Sequence, residues 1–255
     1  YLPHVGGGTW ATYHLSSRLS NKGYNIELIV PNIKHKLSIP REYSIVMEKK
    51  NSSTVRRTPI FPFPREVAPF LSGFFVFCTG LRLGKGANVV VAQYHPHTFL
   101  APFAILLGRV LKIPVILRAD DVYREMGNPP RLAEKIMNML NEYFAKYAKA
   151  FLVVCSEQKR TLLSRQGQRN FESRVFLSIN GVDLSEFKVS EGTPEIRETL
   201  DFRNDEKIVL FIGRYSAKEY GIEILIRALS IIQKRVPDVL LVLVGDKLTP
   251  SQLSL

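Results

Sequence analysis

Short runs of Val, Ile and Leu recur along the chain, separated by longer stretches in which apolar residues follow a helical spacing. The clearest runs are Asn88–Ala92 (NVVVA), Pro114–Arg118 (PVILR) and Phe151–Cys155 (FLVVC). Uninterrupted apolar runs of this length are typical of strands buried on both faces, as in a parallel sheet covered by helices. Right-handed crossovers through the intervening helices then predict a doubly wound, Rossmann-like α/β fold.

Further strands and helices complete this first pattern. Strands are predicted over Asn25–Val30 and Val175–Ile179, and helices over Thr9–Lys22, His97–Lys112, Arg131–Lys149 and Glu157–Gly167. The segment Lys34–Phe63 is the least periodic part of the chain, and its proline-rich end is interpreted as an extended loop. Because the chain opens with a glycine-rich turn and a helix, we expect a first strand to lie upstream of Tyr1.

The alternation lapses between Asn180 and Asp205 and then begins again. A strand over Ile208–Ile212, a helix over about Gly221–Arg235 and a strand over Val239–Val244 predict the beginning of a second parallel sheet. These elements are too few for an independent core. We therefore predict an N-terminal Rossmann-like domain over residues 1–190, a linker over 191–205 and a partial C-terminal domain over 206–255.

The composition excludes several classes of protein. Of the 255 residues, 45% are hydrophobic, which is too many for a disordered chain. The 2 cysteines, Cys78 and Cys155, do not support a disulfide framework or a cysteine-based zinc site. Lys and Arg number 35 against 23 Asp and Glu, and the net charge of +12 favours an anionic partner. The basic residues are dispersed and carry no RRM, KH or helix-turn-helix signature, so we expect no nucleic acid among the partners.

One apolar segment, Val67–Leu81, raises the question of contact with a membrane. It is 15 residues long, and a bilayer span needs about 20. Its phenylalanines at roughly helical spacing leave two interpretations, a helix that covers a sheet face or an interfacial helix with cations at the headgroups. Because the sequence shows no signal peptide and no span, we expect a cytoplasmic protein, with peripheral membrane association as an alternative.

Candidate functional residues stand where predicted strands end, the edge at which α/β proteins bind their ligands. Gly6-Gly7-Gly8 precedes a helix, so its backbone N–H groups could bind a phosphate, or the glycines could form only a tight turn. Asn180-Gly181 is either a plain turn or part of a ligand site. His95 and His97 leave a similar choice between a loop position and contact with a ligand hydroxyl.

Charged residues follow two of the predicted strands. Asp120 and Asp121 come after Arg118; they could accept hydrogen bonds from sugar hydroxyls or act as a base, or form an ion pair and a helix cap. Arg214, with Lys218 shortly after it, could bind a diphosphate or belong to a solvated basic loop. No cluster of His, Asp and Glu has metal-ligand spacing, so no metal site is predicted.

Taken in order, several segments of the chain resemble the retaining GT-B glycosyltransferases of group 1 and family 4, which include glycogen synthases and mannosyltransferases. The segments are Pro3–Gly8, Ser156–Gly167, Ile179–Phe187, Gly213–Ala228 and Pro237–Asp246. The resemblance implies two Rossmann-like domains facing a cleft, with a nucleotide-sugar donor bound mainly by the C-terminal domain and a carbohydrate or lipid-linked acceptor by the N-terminal one. It also implies transfer to a hydroxyl group with retention of configuration, without a cofactor or a divalent metal.

The family pattern implies a role for each matching residue. Arg214 and Lys218, just after Gly213, would bind the donor diphosphate and neutralise the charge of the leaving nucleotide. Gly7-Gly8 would lie beside the donor phosphates across the cleft. Asn180-Gly181 would form the loop on the hinge side of the cleft.

Three features depart from the family pattern. Tyr220-Gly221 stands where the family has Lys-Gly, and Lys218 comes two residues early. Asp120 stands where the family often has a His that contacts the transferred sugar. Two glutamates of the second domain that help to bind the donor are expected beyond Leu255. We therefore expect catalytic roles for Asp120, Arg214 and Lys218 but an inactive polypeptide when it is taken alone; the alternative is a truncated, non-catalytic homologue that acts as a binding protein.

Overall fold

The structure is a computed structural model of the chain. It describes residues 7–30, 53–57, 68–94, 98–120, 132–166, 171–188, 194–203, 205–213 and 221–245. The chain divides into two units, Tyr1–Gly181 and Val182–Leu255. The finer division into residues 1–190, 191–205 and 206–255 stays a prediction.

Helices and strands alternate along the first unit. The helices are α1 (Gly7–Asn21), α2 (Ala68–Leu83), α3 (Leu100–Leu111), α4 (Leu132–Ala145) and α5 (Ser156–Gln166). The strands are β1 (Ile26–Val30), β2 (Ser53–Arg57), β3 (Val90–Gln93), β4 (Val115–Ala119), β5 (Ala150–Val153) and β6 (Val175–Leu177). Each strand and helix that the hydrophobic pattern predicts in this unit is present, with its ends shifted by a few residues.

The main sheet of this unit is parallel and four-stranded, in the order β3-β4-β5-β6. Its register pairs Val90 with Val115 at one side and Phe151 with Val175 at the other. Because each strand pairs with the next one along the chain, right-handed crossovers place α3, α4 and α5 on one face of the sheet. The carboxyl ends of the strands meet at one edge, which is where α/β proteins bind their ligands.

The core of the unit consists of the inward side chains of this sheet and of the helices against it. Leu117, Phe151 and Val153 are fully buried. Tyr94 and Phe171 pack edge-on against Phe151, with ring centroids 5.8 and 5.1 Å away. Full burial of a side chain of this size contributes about 1.5–3 kcal/mol, so the apolar runs of the sequence are also the main source of stability.

A separate two-stranded parallel sheet pairs β1 with β2, with Ile26 opposite Ser53 and Val30 opposite Arg57. β2 was not predicted from the sequence, because it lies in the segment of weakest periodicity. Its sequence, STVRR, lacks the apolar run that marks the other strands of this unit. Its strand conformation follows from pairing with β1 rather than from local pattern, as is common for strands.

The apolar helix α2 packs along α3 through glycines. A Cβ atom at Gly73 would lie 2.5 Å from the ring of Phe103, and one at Gly80 would lie 2.5 Å from Leu107. Larger residues at these two positions would push the helices apart. The two glycines therefore explain how a helix of bulky phenylalanines can approach its neighbour so closely.

The phenylalanines of α2 form an aromatic cluster with α3. The rings of Phe70, Phe74 and Phe77 lie 5.3, 6.2 and 6.0 Å from the ring of Phe103, measured between centroids. α2 also contacts β1. These contacts favour the interpretation of α2 as a packed helix of the unit, although Phe70 and Phe74 keep exposed edges.

The second unit contains the predicted strand–helix–strand sequence. Its elements are α6 (Pro194–Thr199), β7 (Lys207–Gly213), α7 (Ile222–Gln233) and β8 (Val239–Gly245). β7 and β8 are parallel, with Lys207 opposite Val239 and Gly213 opposite Gly245. Gly221, just before α7, has φ of 66°, a left-handed conformation that favours glycine. This explains the glycine of the Tyr220-Gly221 dipeptide independently of any ligand.

Candidate functional site

Polar side chains meet at the carboxyl edge of the four-stranded sheet. Gln93 ends β3, Asp120 directly follows β4, and Asn180 follows β6. The first turn of α1, which contains Gly8, lies against the same group. Parallel strands thus bring together residues that are far apart in the sequence, and three of the predicted site positions, Gly8, Asp120 and Asn180, are among them.

Two donors hold the carboxylate of Asp120. Arg118 Nε donates to Oδ1 at 3.0 Å, and Gln93 Nε2 donates to Oδ2. The side chains of Arg118 and Asp120 are 8% and 15% exposed, so this ion pair is largely shielded from water. Charge-assisted hydrogen bonds of this kind are about twice as strong as neutral ones. The ion pair is one of the alternatives that the sequence left open, and it fixes the carboxylate in one orientation.

The guanidinium of Arg118 also orients Asn180. Arg118 Nη2 donates to Oδ1 of Asn180 at 2.9 Å, across 62 positions of sequence. One buried arginine therefore links the carboxylate after β4 to the loop after β6. The sequence showed Arg118 as a neighbour of the carboxylates, but not its contact with Asn180.

Gly8 approaches the carboxylate closely. A Cβ atom at Gly8 would lie 2.9 Å from Asp120 Oδ2, so a side chain there would displace the carboxylate. Gly7 and Gly8 form the first turn of α1, which begins at Gly7 and not at Thr9 as predicted. The N-terminal turn of α1 therefore lies close to this carboxylate.

Gln158, in the first turn of α5, is a further member of the group that sequence reasoning missed. Its Nε2 donates to the backbone oxygen of Asp120, and its Oε1 accepts from the backbone N–H of Val154 at 3.1 Å. Gln158 thus ties the end of β5 to the end of β4. The only signal in the sequence is a glutamine near the start of a helix that follows a buried strand, which is too common to single out.

Gly181 and Gly213 are also among the predicted site residues. Gly181 follows Asn180. A Cβ atom at Gly181 would meet no atom within 4 Å, so there is room for a larger residue at this position. Gly213 ends β7 in the second unit. Arg214, Lys218, Asp121, His95 and His97 lie outside the described residues. The roles assigned to these positions stay predictions.

The geometry defines what the group can bind. A carboxylate has about four lone-pair sites, and the hydrogen bonds from Gln93 and Arg118 occupy two of them. The other sites can accept hydrogen bonds from hydroxyl groups of a ligand. Because Arg118 balances the charge of Asp120, an anionic group can approach this edge more easily than it could approach an unpaired carboxylate.

In the part of the chain that the structure describes, no three His, Cys, Asp or Glu residues are grouped as metal ligands. Both cysteines are free; Cys78 is half-buried, whereas Cys155 is exposed. Among the described helices, none is long and apolar enough to cross a membrane.

The fold and the site define an α/β protein with Rossmann-like parallel sheets and a polar group at a sheet edge. Two family models match the sequence, Glycosyltransferase Family 4 over residues 5–186 and Glycosyl transferases group 1 over residues 192–255. The chain therefore belongs to glycosyltransferase family 4. This confirms the family that the motifs predicted. No curated protein matches the sequence significantly.

Two solved structures with a similar fold contain UDP or a UDP sugar. Anabaena Alr3699/HepE, in complex with UDP and glucose, has a TM-score of 0.62 and 17% identity over 97% of this chain and 60% of its own. Phytolacca americana UGT2, complexed with UDP-2fluoro-glucose and pterostilbene, has a TM-score of 0.54 and 12% identity over 96% of this chain and 70% of its own. At these identities the likeness concerns the fold, and it confirms the predicted GT-B-like α/β class. The chain spans 60% of the length of HepE.

Proposed function

We propose that this chain takes part in the transfer of a sugar from a nucleotide-sugar donor to a hydroxyl group of a glycan or a lipid-linked acceptor. We propose further that configuration is retained and that no cofactor or divalent metal is needed. Membership of glycosyltransferase family 4 supports the transfer. The UDP and glucose in the HepE structure and the UDP-2fluoro-glucose in the UGT2 structure support a nucleotide sugar as the donor.

The observation that carries the proposal is the fixed carboxylate of Asp120 at the carboxyl edge of the sheet. Its orientation is set by Arg118 and Gln93, and the lone pairs that these two side chains do not use can accept hydrogen bonds from sugar hydroxyls. A preoriented acceptor of this kind positions a sugar without having to be ordered when the sugar binds. Asp120 thus takes the place of the sugar-contacting histidine of other family members.

The donor phosphates need positive groups. Arg214 and Lys218 are proposed to bind the diphosphate and to neutralise the charge that develops on the leaving nucleotide. Gly213 ends β7, and Arg214 is the next residue in the sequence. Gly7-Gly8 is proposed to lie beside the phosphates, and Asn180-Gly181 to form the loop on the hinge side.

Donor binding is tested by thermal shift with UDP, GDP, ADP and their common sugar conjugates. Binding to the folded state raises the melting temperature, with about 2.7 kcal/mol of stabilisation at a hundredfold excess over Kd. Arg214→Ala should abolish the shift. The matched control is Lys234→Ala, an exposed residue after α7 and thus at the opposite edge of the β7–β8 sheet. Equal shifts in both variants, or no shift with any nucleotide, would contradict the donor site.

The role of Asp120 is tested by comparing a nucleotide with its sugar conjugate. Asp120→Asn keeps the size of the side chain but removes the charge, so affinity for the conjugate should fall about tenfold. Affinity for the free nucleotide should fall less, because its phosphates are proposed to bind Arg214, Lys218 and the backbone of Gly7-Gly8. An equal loss for both ligands would show that Asp120 does not contact the sugar.

Transfer and its stereochemistry are tested on the product. The coupling of the anomeric proton in an NMR spectrum distinguishes retention from inversion, and inversion would contradict the proposal. Binding of the conjugate without transfer is expected both for an inactive polypeptide and for a non-catalytic binding protein, so detected transfer is the result that excludes the alternative.

A further inference from the structure

The outward face of α4 and of the turn after it is apolar, where the exterior of a helix is usually polar. Ile136, Met139, Tyr143 and Tyr147 are all exposed, and Met139 is 61% exposed. Their spacing places them on one stripe of the helix. Leu106 and Val110 of α3, which packs against α4, are exposed as well. These six side chains define the outer α3–α4 surface.

The opposite face of α4 is the one that packs into the unit. Met137 and Ala145 are buried there. Asn141 is fully buried, and its Nδ2 donates to the backbone oxygen of Thr98 at 2.9 Å. The exposed stripe is therefore a second apolar face in addition to the one that the core uses.

Cations are held directly against the aromatic rings of this surface. The guanidinium carbon of Arg109 lies 4.1 Å from the ring centroid of Tyr147, and Nζ of Lys146 lies 3.8 Å from that of Tyr143. The two tyrosine hydroxyls lie 3.3 Å apart and share a hydrogen bond. This hydrogen bond lowers the pKa of Tyr147, and the nearby charge of Lys146 acts in the same direction. The contacts arrange rings and cations in a fixed pattern at the surface.

The charge around the surface is mainly positive. Among the described side chains of α3 and α4, one is acidic, the half-buried Glu142. Exposed cations within these two helices or directly after them are Arg109, Lys112, Lys135 and Lys149. The whole chain carries +12, so two copies repel each other, and an anionic partner is favoured over a second copy.

We propose that the outer α3–α4 surface docks on a lipid bilayer with acidic headgroups. The apolar stripe would enter the boundary between headgroups and acyl chains, while Arg109 and Lys146 contact phosphates. Tyrosines are enriched at this boundary because the ring is apolar and the hydroxyl polar. The inference rests on the proposed function in one respect, since docking would hold the chain where a lipid-linked acceptor is found.

The test is co-sedimentation of the full chain with vesicles, in the absence of nucleotide. Phosphatidylcholine vesicles with about one-third phosphatidylglycerol are compared with pure phosphatidylcholine vesicles. The chain should sediment with the acidic vesicles and not with the neutral ones. Tyr143→Glu, and separately Arg109→Glu with Lys146→Glu, should weaken binding by about tenfold or more, since each basic residue at an acidic surface contributes roughly a fivefold factor.

Matched controls separate this surface from net charge alone. Tyr24→Glu changes an exposed tyrosine after α1, and Lys234→Glu with Arg235→Glu reverses two exposed cations after α7. Both should weaken binding much less than the variants of the outer α3–α4 surface. An unchanged far-UV circular dichroism spectrum and a cooperative thermal transition show that each variant is folded. If Tyr143→Glu does not fold, Tyr143→Ser with Met139→Ser tests the same stripe.

Three outcomes would overturn the proposal. The first is that the chain does not bind acidic vesicles. The second is that the surface variants and the controls lose the same amount of vesicle binding. The third is that light scattering shows a dimer and that Tyr143→Glu dissociates it. The last result would assign the surface to a second copy. Donor binding is measured without vesicles, so failure of docking leaves the proposed function intact, and failure of donor binding leaves docking intact.

Discussion

The carboxyl edge of the four-stranded sheet and the outer α3–α4 surface depart from the usual distribution of side chains in opposite ways. At the edge, charged and polar groups such as Arg118 and Asp120 are shielded from water. On the outer surface, large apolar groups such as Met139 and Tyr143 are exposed to it. Buried polar groups and exposed apolar patches are the informative exceptions in a folded protein.

The two regions differ in whether these unusual side chains have interaction partners within the chain. The polar groups of the edge satisfy one another, through hydrogen bonds from Arg118 to both Asp120 and Asn180. The large apolar groups of the outer surface stay exposed, although cations lie over two of the tyrosine rings. Substitutions at the edge should therefore change the stability of the chain, whereas substitutions on the outer surface should change binding and leave stability nearly unaltered.

The largest effect is expected for Arg118→Ala. It leaves the largely buried carboxylate of Asp120 without its counter-charge and Asn180 without its donor, and removing one partner of a buried pair costs about 3 kcal/mol. The matched control is Arg160→Ala, which removes an ion pair with Glu157. The side chains of Arg160 and Glu157 are 75% and 71% exposed, so the loss of free energy of unfolding should be less than about 1 kcal/mol. Urea unfolding measures both. Similar small losses in the two variants would show that the edge is not a buried network.

A smaller effect is expected for Gly8→Ala. The added methyl group would contact Asp120, and overpacking of this kind costs about 1–3 kcal/mol, partly offset by the better helix propensity of alanine. The same substitution should be neutral or stabilising in an Asp120→Ala background, which a double-mutant cycle measures. Gly181→Ala, with open space around it, is the control and should change stability by less than about 0.5 kcal/mol. Additive effects of Gly8→Ala and Asp120→Ala would refute the contact.

The smallest effect is expected for Met139→Ala on the outer surface. Met139 is exposed, so its loss should change the free energy of unfolding by less than about 0.5 kcal/mol. Met137, two positions away on the same helix, is buried, and Met137→Ala should cost about 2 kcal/mol or more. Equal costs in thermal or urea unfolding would mean that the outer surface belongs to the core.

Much of the fold followed from local pattern. The apolar runs around Leu117 and Phe151 predicted buried parallel strands, because a strand that is covered on both faces must be apolar on both. The placement of Gly8, Asp120 and Asn180 after predicted strands or before a helix also indicated one edge, because parallel strands share a carboxyl end. Recognition of the family rested on the order of such motifs along the chain.

Tertiary structure alone decided which residues are partners and which face of a helix is buried. Asp120 meets Gln93 and Arg118 meets Asn180 across 27 and 62 positions, distances over which no local pattern extends. β2 forms because β1 offers it backbone hydrogen bonds. On α4 the helical spacing of Ile136, Met139 and Tyr143 indicates an apolar face, but the fold turns Met137 and Ala145 inward instead. The sequence determines that a face is apolar; only the arrangement of neighbouring elements determines whether that face is covered.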